Sequence, residues 1–386
     1  MSTEVPFDEQ DRTEEEVRVS TLELFFDLVF VFTLTQLTGL LAAESSLERV
    51  AQIVLIFIVL FWMYGGYAWL TNRMAPNRPA RRLLLMLGMA GFLVCALAIP
   101  QAFNDGGIAF GLGYLLVVLV HAALYTQVFG MGVVVRFAPL NVVAALTVIA
   151  AGFLEGVSAY ALWGVAVLMQ FVTPSIVARV APRLDVRTGH FVERHGLLLI
   201  VALGESVVAI GVGLGHVTLD VGLYAAAVLG LSLACALWWT YFVGDAEHAE
   251  RVMEEASPDR RFHLAINAYF YAYVLILLGV VAAAAGVEES IGHVTEQLET
   301  GPALALGIGI AMYLIGALAF RRVMGLRPAG YRGAAAMVAL ATIPLGISFS
   351  AAWQLVALVV CLVAMLAAEE RARVAAIAVR GRPPLR

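Results

Sequence analysis

The chain contains no lysine, only three cysteines and few charged residues. All 24 basic residues are arginine, and charged residues occupy 14% of the 386 positions. Because a soluble domain carries about 25% charged residues, this composition argues against a soluble protein. Cys95, Cys235 and Cys361 each lie inside an apolar run, and that placement argues against a disulfide framework.

Apolar residues dominate instead, at 61% of the sequence with a mean hydropathy of +0.89. Several apolar runs exceed the roughly 20 residues that an α-helix needs to cross a ~30 Å hydrocarbon core. We therefore predict an all-α fold, a polytopic transmembrane helical bundle of about 12 spans. The predicted spans are 22–42, 50–70, 83–101, 107–129, 138–152, 156–175, 196–215, 220–243, 263–286, 302–320, 333–348 and 350–368.

The arginines are distributed very unevenly between the two ends of the predicted spans. If the N-terminus is cytoplasmic, every arginine except Arg49 falls on the cytoplasmic side. Positive charge concentrates on that side in membrane proteins, so we predict a multi-pass protein of the bacterial cytoplasmic (inner) membrane with both termini in the cytoplasm. The acidic start of the chain lacks the positive region of a signal peptide, so we expect the first span to direct insertion.

The two halves of the sequence resemble each other. Asp27 corresponds to Glu205, and Arg81 to Arg260, at a nearly constant spacing, whereas Gly111 corresponds to Gly307 at a longer one. We assign the extra residues to the loop at 287–301, because loops tolerate insertions. Six spans per half predict two parallel six-helix repeats, 20–178 and 196–368. A cytoplasmic segment (1–19), a cytoplasmic linker (179–195) and a basic tail (369–386) complete the expected organisation.

Two stretches carry a resemblance to a known family. Residues 20–36 read STLELFFDLVFVFTLTQ and residues 193–210 read ERHGLLLIVALGESVVAI. Both resemble signatures of the bacterial low temperature requirement protein A family, and the length and span count fit along nearly the whole chain. The family carries no agreed substrate or reaction, so the resemblance implies a polytopic membrane protein without naming its chemistry.

Three carboxylates fall within predicted spans. Ionisable groups inside a membrane are costly and mark functional sites by default, so we predict that Glu23, Asp27 and Glu205 handle an ion or proton. Each has a simpler interpretation as well. Glu23 could be interfacial or paired with Arg18, Asp27 could be the buried partner of an arginine, and Glu205 could be a structural residue although no basic residue is near it in sequence.

Further polar and aromatic side chains are candidates for lining a pathway. They are Thr35, His121, Ser206, Trp62, Tyr64, Trp239 and Tyr241. For His121 the alternative is a hydrogen-bonded packing role. For the aromatic residues it is anchoring at the membrane interface.

No phosphate loop, zinc signature or hydrolase elbow is found in the sequence. We therefore expect no catalytic residues, no metal site, no cofactor and no nucleic-acid partner. The expected partners are membrane lipids and a small ion or proton, and a homo-oligomer is left open. Transport through a channel or secondary carrier is the leading hypothesis. A membrane sensor or assembly protein linked to cold adaptation is the first alternative, and an intramembrane enzyme acting on lipid is the second.

Overall fold

The computed structural model describes residues 19–74, 76, 78–180, 186–214 and 221–380, without the side chains of 137, 175–180 and 376–380. Most of the predicted N-terminal segment, including Arg12 and Arg18, lies outside these residues, as do Arg183 in the linker and the last six residues of the tail. Within the described ranges every regular element is a helix. The predicted all-α fold is therefore confirmed.

Fifteen helices are described. They are α1 (Thr21–Ala43), α2 (Leu47–Arg73), α3 (Pro79–Ala98), α4 (Gly107–Phe129), α5 (Met131–Ala151), α6 (Gly156–Val180), α7 (Thr188–Leu214), α8 (Val221–Phe242), α9 (Asp245–Glu254), α10 (Pro258–Ile266), α11 (Tyr273–Gly292), α12 (Thr300–Val323), α13 (Gly330–Ala341), α14 (Ile343–Ser348) and α15 (Ala351–Arg380). A 3₁₀ turn (Ile99–Gln101) follows α3, and a π-helix (Asn267–Ala272) joins α10 to α11.

Eleven helical segments of the described chain are long and apolar enough to cross a membrane, and Ala138–Ala151 of α5 is a shorter apolar stretch. Together they agree with the prediction of about 12 spans. Helix α7 begins at Thr188, earlier than the span predicted to start at 196. The final turns of the linker are therefore part of a membrane helix, and α7 carries Arg194 into the bundle with it.

The helices of the two halves pack in a similar order. Helix α3 packs on α4, α4 on α5 and α5 on α6, while α11 packs on α12, α12 on α13 and α13 on α15. Helices α1 and α7 are the first helices of the two halves, and they pack against each other. Two hydrogen bonds connect them. One joins Glu23 to Arg194, and the other joins Thr35 to Glu205, which lie further along both helices in the direction of the chain. The two helices are therefore parallel, a geometry compatible with two parallel repeats.

Matching glycines make matching helix contacts in the two halves. A Cβ added at Gly113 of α4 would press on Cys95 of α3, and one added at Gly309 of α12 would press on Ala283 of α11. Gly91 and Gly279 face the partner helices in the same way. If the halves are read as two repeats, this correspondence assigns part of the extra length of the second half to α10 and the π-helix, in addition to the loop at 287–301.

Large aromatic side chains fill the interior of the bundle. Phe30, Tyr64, Tyr67 and Phe92 are buried between α1, α2 and α3. Many leucine and valine side chains on the outer faces are exposed, among them Leu83, Leu97, Val157, Leu168 and Val228. An apolar outer surface is what a helix bundle presents to lipid, so this distribution matches a multi-pass membrane protein.

Candidate functional site

A buried arginine joins the first helices of the two halves. Arg194 of α7 donates from Nη1 to Glu23 Oε1 at 2.7 Å and from Nη2 to Asp27 Oδ1 at 3.1 Å, and its side chain is 1% exposed. Glu23 and Asp27 are four residues apart, so they lie on one face of α1. Tyr64 of α2 donates to the same Asp27 oxygen at 2.9 Å. Together with His190, these residues are referred to below as the charged cluster.

His190 reinforces the cluster from the start of α7. The Asn72 side chain accepts from Arg187 N and donates to Arg187 O, which fixes the orientation of its amide. Asn72 Nδ2 therefore donates to His190 Nδ1 at 3.3 Å. With Nδ1 accepting, His190 carries its proton on Nε2, and that nitrogen lies 3.2 Å from Glu23 Oε1. In this tautomer His190 donates a hydrogen bond to Glu23 and is neutral.

The two carboxylates of the cluster differ in how completely they are satisfied. Glu23 Oε2 accepts from the Ser20 amide and hydroxyl in a capping box that starts α1. Asp27 Oδ2 is buried and has no hydrogen-bond donor among the described residues. Within ion-pair distance, the described part of the chain supplies one guanidinium for two carboxylates. With both carboxylates ionised and His190 in its neutral tautomer, the cluster is one positive charge short of neutrality.

A hydrogen bond between a threonine and a third carboxylate lies further along the same interface. Thr35 of α1 donates its hydroxyl to Glu205 Oε2 of α7 at 2.7 Å, and Glu205 is 5% exposed. At ~1.5 Å per residue, Thr35 lies about 12 Å along α1 from Asp27. The buried Phe30, Val31 and Leu34 occupy the intervening stretch of α1. Polar groups at two depths of the α1–α7 interface are therefore separated by apolar packing.

A further set of ion pairs connects α9, α12, α13 and α15 at the end of the bundle where α13 begins. Arg332 of α13 contacts Asp245 Oδ2 of α9 at 2.8 Å and Glu369 Oε1 of α15 at 3.2 Å. Arg321 of α12 donates to Glu369 Oε2 at 2.7 Å. Two arginines here balance two carboxylates, so this group is neutral and differs from the charged cluster in that respect.

A mostly aromatic cavity of about 100 Å³ lies on the other side of α2 and α7. Trp62 and His121, both predicted to line a pathway, are among its walls, together with His195 of α7. Trp62 Nε1 lies 3.4 Å from Asn141 Oδ1. The His121 ring packs beside Tyr67, with 5.3 Å between the ring centroids.

The other predicted pathway residues are not brought together with these. Ser206 is buried next to Glu205 on α7. Tyr241 of α8 packs in a separate aromatic group with Tyr273 and Phe320. The Trp239 side chain is 54% exposed on the outer face of α8, away from the other predicted pathway residues. Its position fits the alternative of an aromatic anchor in the membrane interface.

The sequence alone missed Arg194 as the partner of Glu23. Glu23 is 3% exposed and pairs with Arg194 and His190, while the alternative partner Arg18 lies outside the described residues. The sequence places Arg194 in the predicted cytoplasmic linker 179–195. The sequence does contain a signal for this ion pair. Two carboxylates one turn apart in a buried helix call for a cation, and Arg194 is the only basic residue, apart from histidine, in the second signature stretch 193–210. No group of three or more His, Cys, Asp or Glu residues in the described chain is placed to hold a metal ion.

Comparison with known proteins shows that this chain is similar to bacterial proteins along most of its length. The sequence model described as "Bacterial low temperature requirement A protein (LtrA)" matches residues 18–367, which include the charged cluster, Thr35 and Glu205. An uncharacterized protein of Rhizobium meliloti (strain 1021) is 28% identical over 322 residues, covering 80% of this chain and 78% of the relative. The likeness therefore extends along most of both chains.

Proposed function

The chain belongs to the bacterial low temperature requirement A family, and we propose that it transports a small cation or proton across the membrane. The observation that carries the proposal is the charge deficit of the charged cluster. Two buried carboxylates share one guanidinium, and one of them, Asp27, keeps a buried oxygen with no donor among the described residues. One proton or one monovalent cation would neutralise the cluster.

The position of the cluster supports the same proposal. It lies between α1 and α7, the first helices of the two halves. In transporters that are built from repeats, the binding site forms at the interface between the repeats. In this proposal the halves are two parallel six-helix repeats. Glu205 provides a second site further along the interface. Proton uptake by Asp27 weakens its ion pair with Arg194, which frees α1 and α7 to move relative to each other.

The closed interior favours a carrier over an open channel within this proposal. Phe30 and Leu34 are fully buried, and Val31 nearly so, between the two polar levels of α1. An ion crossing this stretch would lose its hydration, at a high cost in free energy. Transport through the interface therefore requires a movement of the helices that admits water to each polar level in turn.

Flux measurements in proteoliposomes test the proposal. The purified protein is reconstituted with pH- and ion-sensitive dyes, and H⁺, K⁺ and Na⁺ gradients are applied to the wild type, Asp27→Asn and Glu205→Gln. We expect a wild-type flux that each substitution reduces at least tenfold. Asp105→Asn and Glu296→Gln, which change exposed carboxylates, are the matched controls and keep the full flux.

The outcomes separate the competing functions. A wild-type flux that neither substitution changes would retain transport and reassign Asp27 and Glu205 to structural roles. Absence of flux under all three gradients, from protein that remains monodisperse on size exclusion, would contradict cation or proton transport. It would favour a sensor or assembly role, for which neutralising Asp27 and Glu205 leaves the cold-growth phenotype unchanged.

A further inference from the structure

The aromatic cavity lies where several helices depart from regular geometry. It is lined by Tyr269 and Phe270 of the π-helix and by Pro174 inside α6. π-Helical turns concentrate at functional sites, and a proline within a helix removes the hydrogen bond to the carbonyl four residues earlier. Irregular backbone at membrane depth is tolerated mainly where it borders a cavity or is buried in protein. The irregularities thus point to a site and not to a packing defect.

Glycine at position 65 keeps the cavity open. Gly65 of α2 lines it, and a Cβ added there would meet nothing within 4 Å. This glycine therefore does not serve a close contact between helices, as Gly113 and Gly309 do. Its neighbour Gly66 is different, because a Cβ there would lie 3.1 Å from His121 Nε2. Position 65 borders unfilled space inside an otherwise closely packed bundle.

The walls present flat aromatic faces and a few hydrogen-bonding groups, but no charge. Six of the lining side chains are aromatic rings on α2, α7, α10 and the π-helix, namely Trp62, Trp69, Phe191, Phe262, Tyr269 and Phe270. No Asp, Glu or Arg is found among the lining residues. Aromatic rings bind other rings through offset or edge-to-face contacts. An ion would find no opposite charge in this lining.

Two groups at the cavity are suited to a polar edge on a ligand. Trp69 Nε1 is buried without an acceptor in the described part of the chain, and its ring is held by edge contacts with Phe191 and Phe262. His195 Nδ1 lies 2.8 Å from the Phe191 carbonyl, to which it donates. His195 Nε2 is thus the ring nitrogen that remains for a ligand. The lining therefore holds an indole N–H without an acceptor and an imidazole, beside the buried hydroxyl of Tyr269, which also has no hydrogen-bond partner among the described residues.

From this arrangement we propose that the cavity binds an uncharged planar molecule of a single ring with a hydroxyl-type group at its edge. A phenol has this chemistry, because its hydroxyl can both accept from an indole N–H such as that of Trp69 and donate to an imidazole nitrogen such as that of His195. The volume of about 100 Å³ is somewhat below the about 150 Å³ of an engineered cavity that admits benzene. One ring fills this volume after a small adjustment of the irregular helices. The site is separate from the charged cluster and does not depend on ion transport.

Isothermal titration calorimetry on the protein in lipid nanodiscs tests the proposal, with empty nanodiscs subtracted. Phenol, benzene and tetramethylammonium are the probes. We expect phenol to bind saturably at one site and more tightly than benzene. Gly65→Leu fills the cavity and weakens phenol binding at least tenfold. Gly164→Leu, at a glycine of α6 that also has open space but does not line the cavity, binds phenol as the wild type does.

A second variant examines the hydrogen bond and does not depend on filling the cavity. Trp69→Phe keeps an aromatic ring and removes the N–H, so phenol binding weakens roughly three- to tenfold, the effect of one hydrogen bond, while benzene binding is unchanged. Trp353→Phe on the exposed face of α15 is the control. The proposal is overturned by an absence of saturable phenol binding to the wild type, by equal binding to Gly65→Leu and Gly164→Leu, or by preferential binding of tetramethylammonium.

Discussion

Arg194 holds two carboxylates of another helix in the interior of the bundle. Its guanidinium lies 5.7 Å from the ring centroids of both Phe26 and Tyr64 and donates to Glu23 and Asp27. Removing a charge from water costs several kcal/mol per ion, and close partners must offset that cost. The side chain is therefore retained in the interior by its partners, and each partner depends on Arg194 in turn.

Arg194→Leu is predicted to lower the free energy of unfolding by about 3–5 kcal/mol, because it leaves Glu23 and Asp27 buried without a cation. The measurement is unfolding in mixed detergent and SDS micelles, followed by circular dichroism. Arg371→Leu, which changes an exposed arginine of α15, is the control and shifts the free energy by no more than about 0.5 kcal/mol.

The triple variant Glu23→Gln, Asp27→Asn, Arg194→Leu distinguishes charge from packing. It removes all three charges, so much of the lost stability is expected to return. If the triple variant were less stable than Arg194→Leu alone, the loss would have to be assigned to packing around the guanidinium.

The carboxylates of the charged cluster could be found from the sequence, but their partner could not. Glu23 and Asp27 are conspicuous because charged residues are rare inside apolar runs. Arg194 lies at the edge of its apolar run, where a loop arginine and a buried arginine look the same in the sequence. Its burial follows from the packing of α7 against α1 and α2, which the sequence does not specify locally.

At the scale of helices, glycines allow the backbones of α11 and α12 to approach each other closely. Gly279 and Gly286 of α11, with Gly309 and Gly316 of α12, lie where an added Cβ would press on the backbone of the other helix. Small residues allow helices to associate in membranes, because van der Waals packing replaces the hydrophobic driving force. This helix pair is consequently less tolerant of larger side chains than the helix faces that point outward.

Gly309→Ala is predicted to destabilise the protein by about 1–3 kcal/mol, because the new methyl group collides with the backbone nitrogen of Ala283. The same unfolding assay measures this change. Gly39→Ala is the matched control, since a Cβ at Gly39 of α1 meets nothing within 4 Å. The control should be as stable as the wild type or up to about 1 kcal/mol more stable, because alanine favours helix more than glycine does. Equal effects of the two substitutions would contradict the close contact.

Helix boundaries and irregular turns were the least predictable elements. The apolar runs placed the centres of the spans correctly, yet α7 starts earlier than predicted, and the π-helix before α11 was not foreseen. A π-turn has no sequence pattern of its own, because it depends on how the surrounding helices accept one extra residue. The aromatic cavity beside it was equally hidden from the sequence.

At the scale of the whole molecule, the ends of the bundle differ in charge. Helices α10 and α13 begin at the end that carries nearly all the arginines of the described residues, while Arg49 is the exception at the other end. Three of the arginines counted in that asymmetry, Arg194, Arg321 and Arg332, are buried in ion pairs. The remaining loop and terminal arginines still favour one orientation.

Cysteine labelling is predicted to show the arginine-rich end in the cytoplasm. Cys95, Cys235 and Cys361 are first replaced by serine, and single cysteines are introduced as Glu296→Cys and Asp259→Cys, at exposed positions on opposite ends. A membrane-impermeant maleimide should label Glu296→Cys in intact spheroplasts and Asp259→Cys only after lysis. The reverse pattern would overturn the predicted orientation of the termini.

The sequence by itself determined the membrane class, the approximate number of spans, the family and the carboxylates of interest. These follow from properties that act within one segment, namely the length of an apolar run, the charge of its flanks and a short signature. Only the tertiary structure decided that Arg194 lies between Glu23 and Asp27, that Thr35 reaches Glu205, that Trp239 faces outward and that an aromatic cavity exists. The physical reason is that burial, charge balance and open space depend on side chains from helices far apart in the chain.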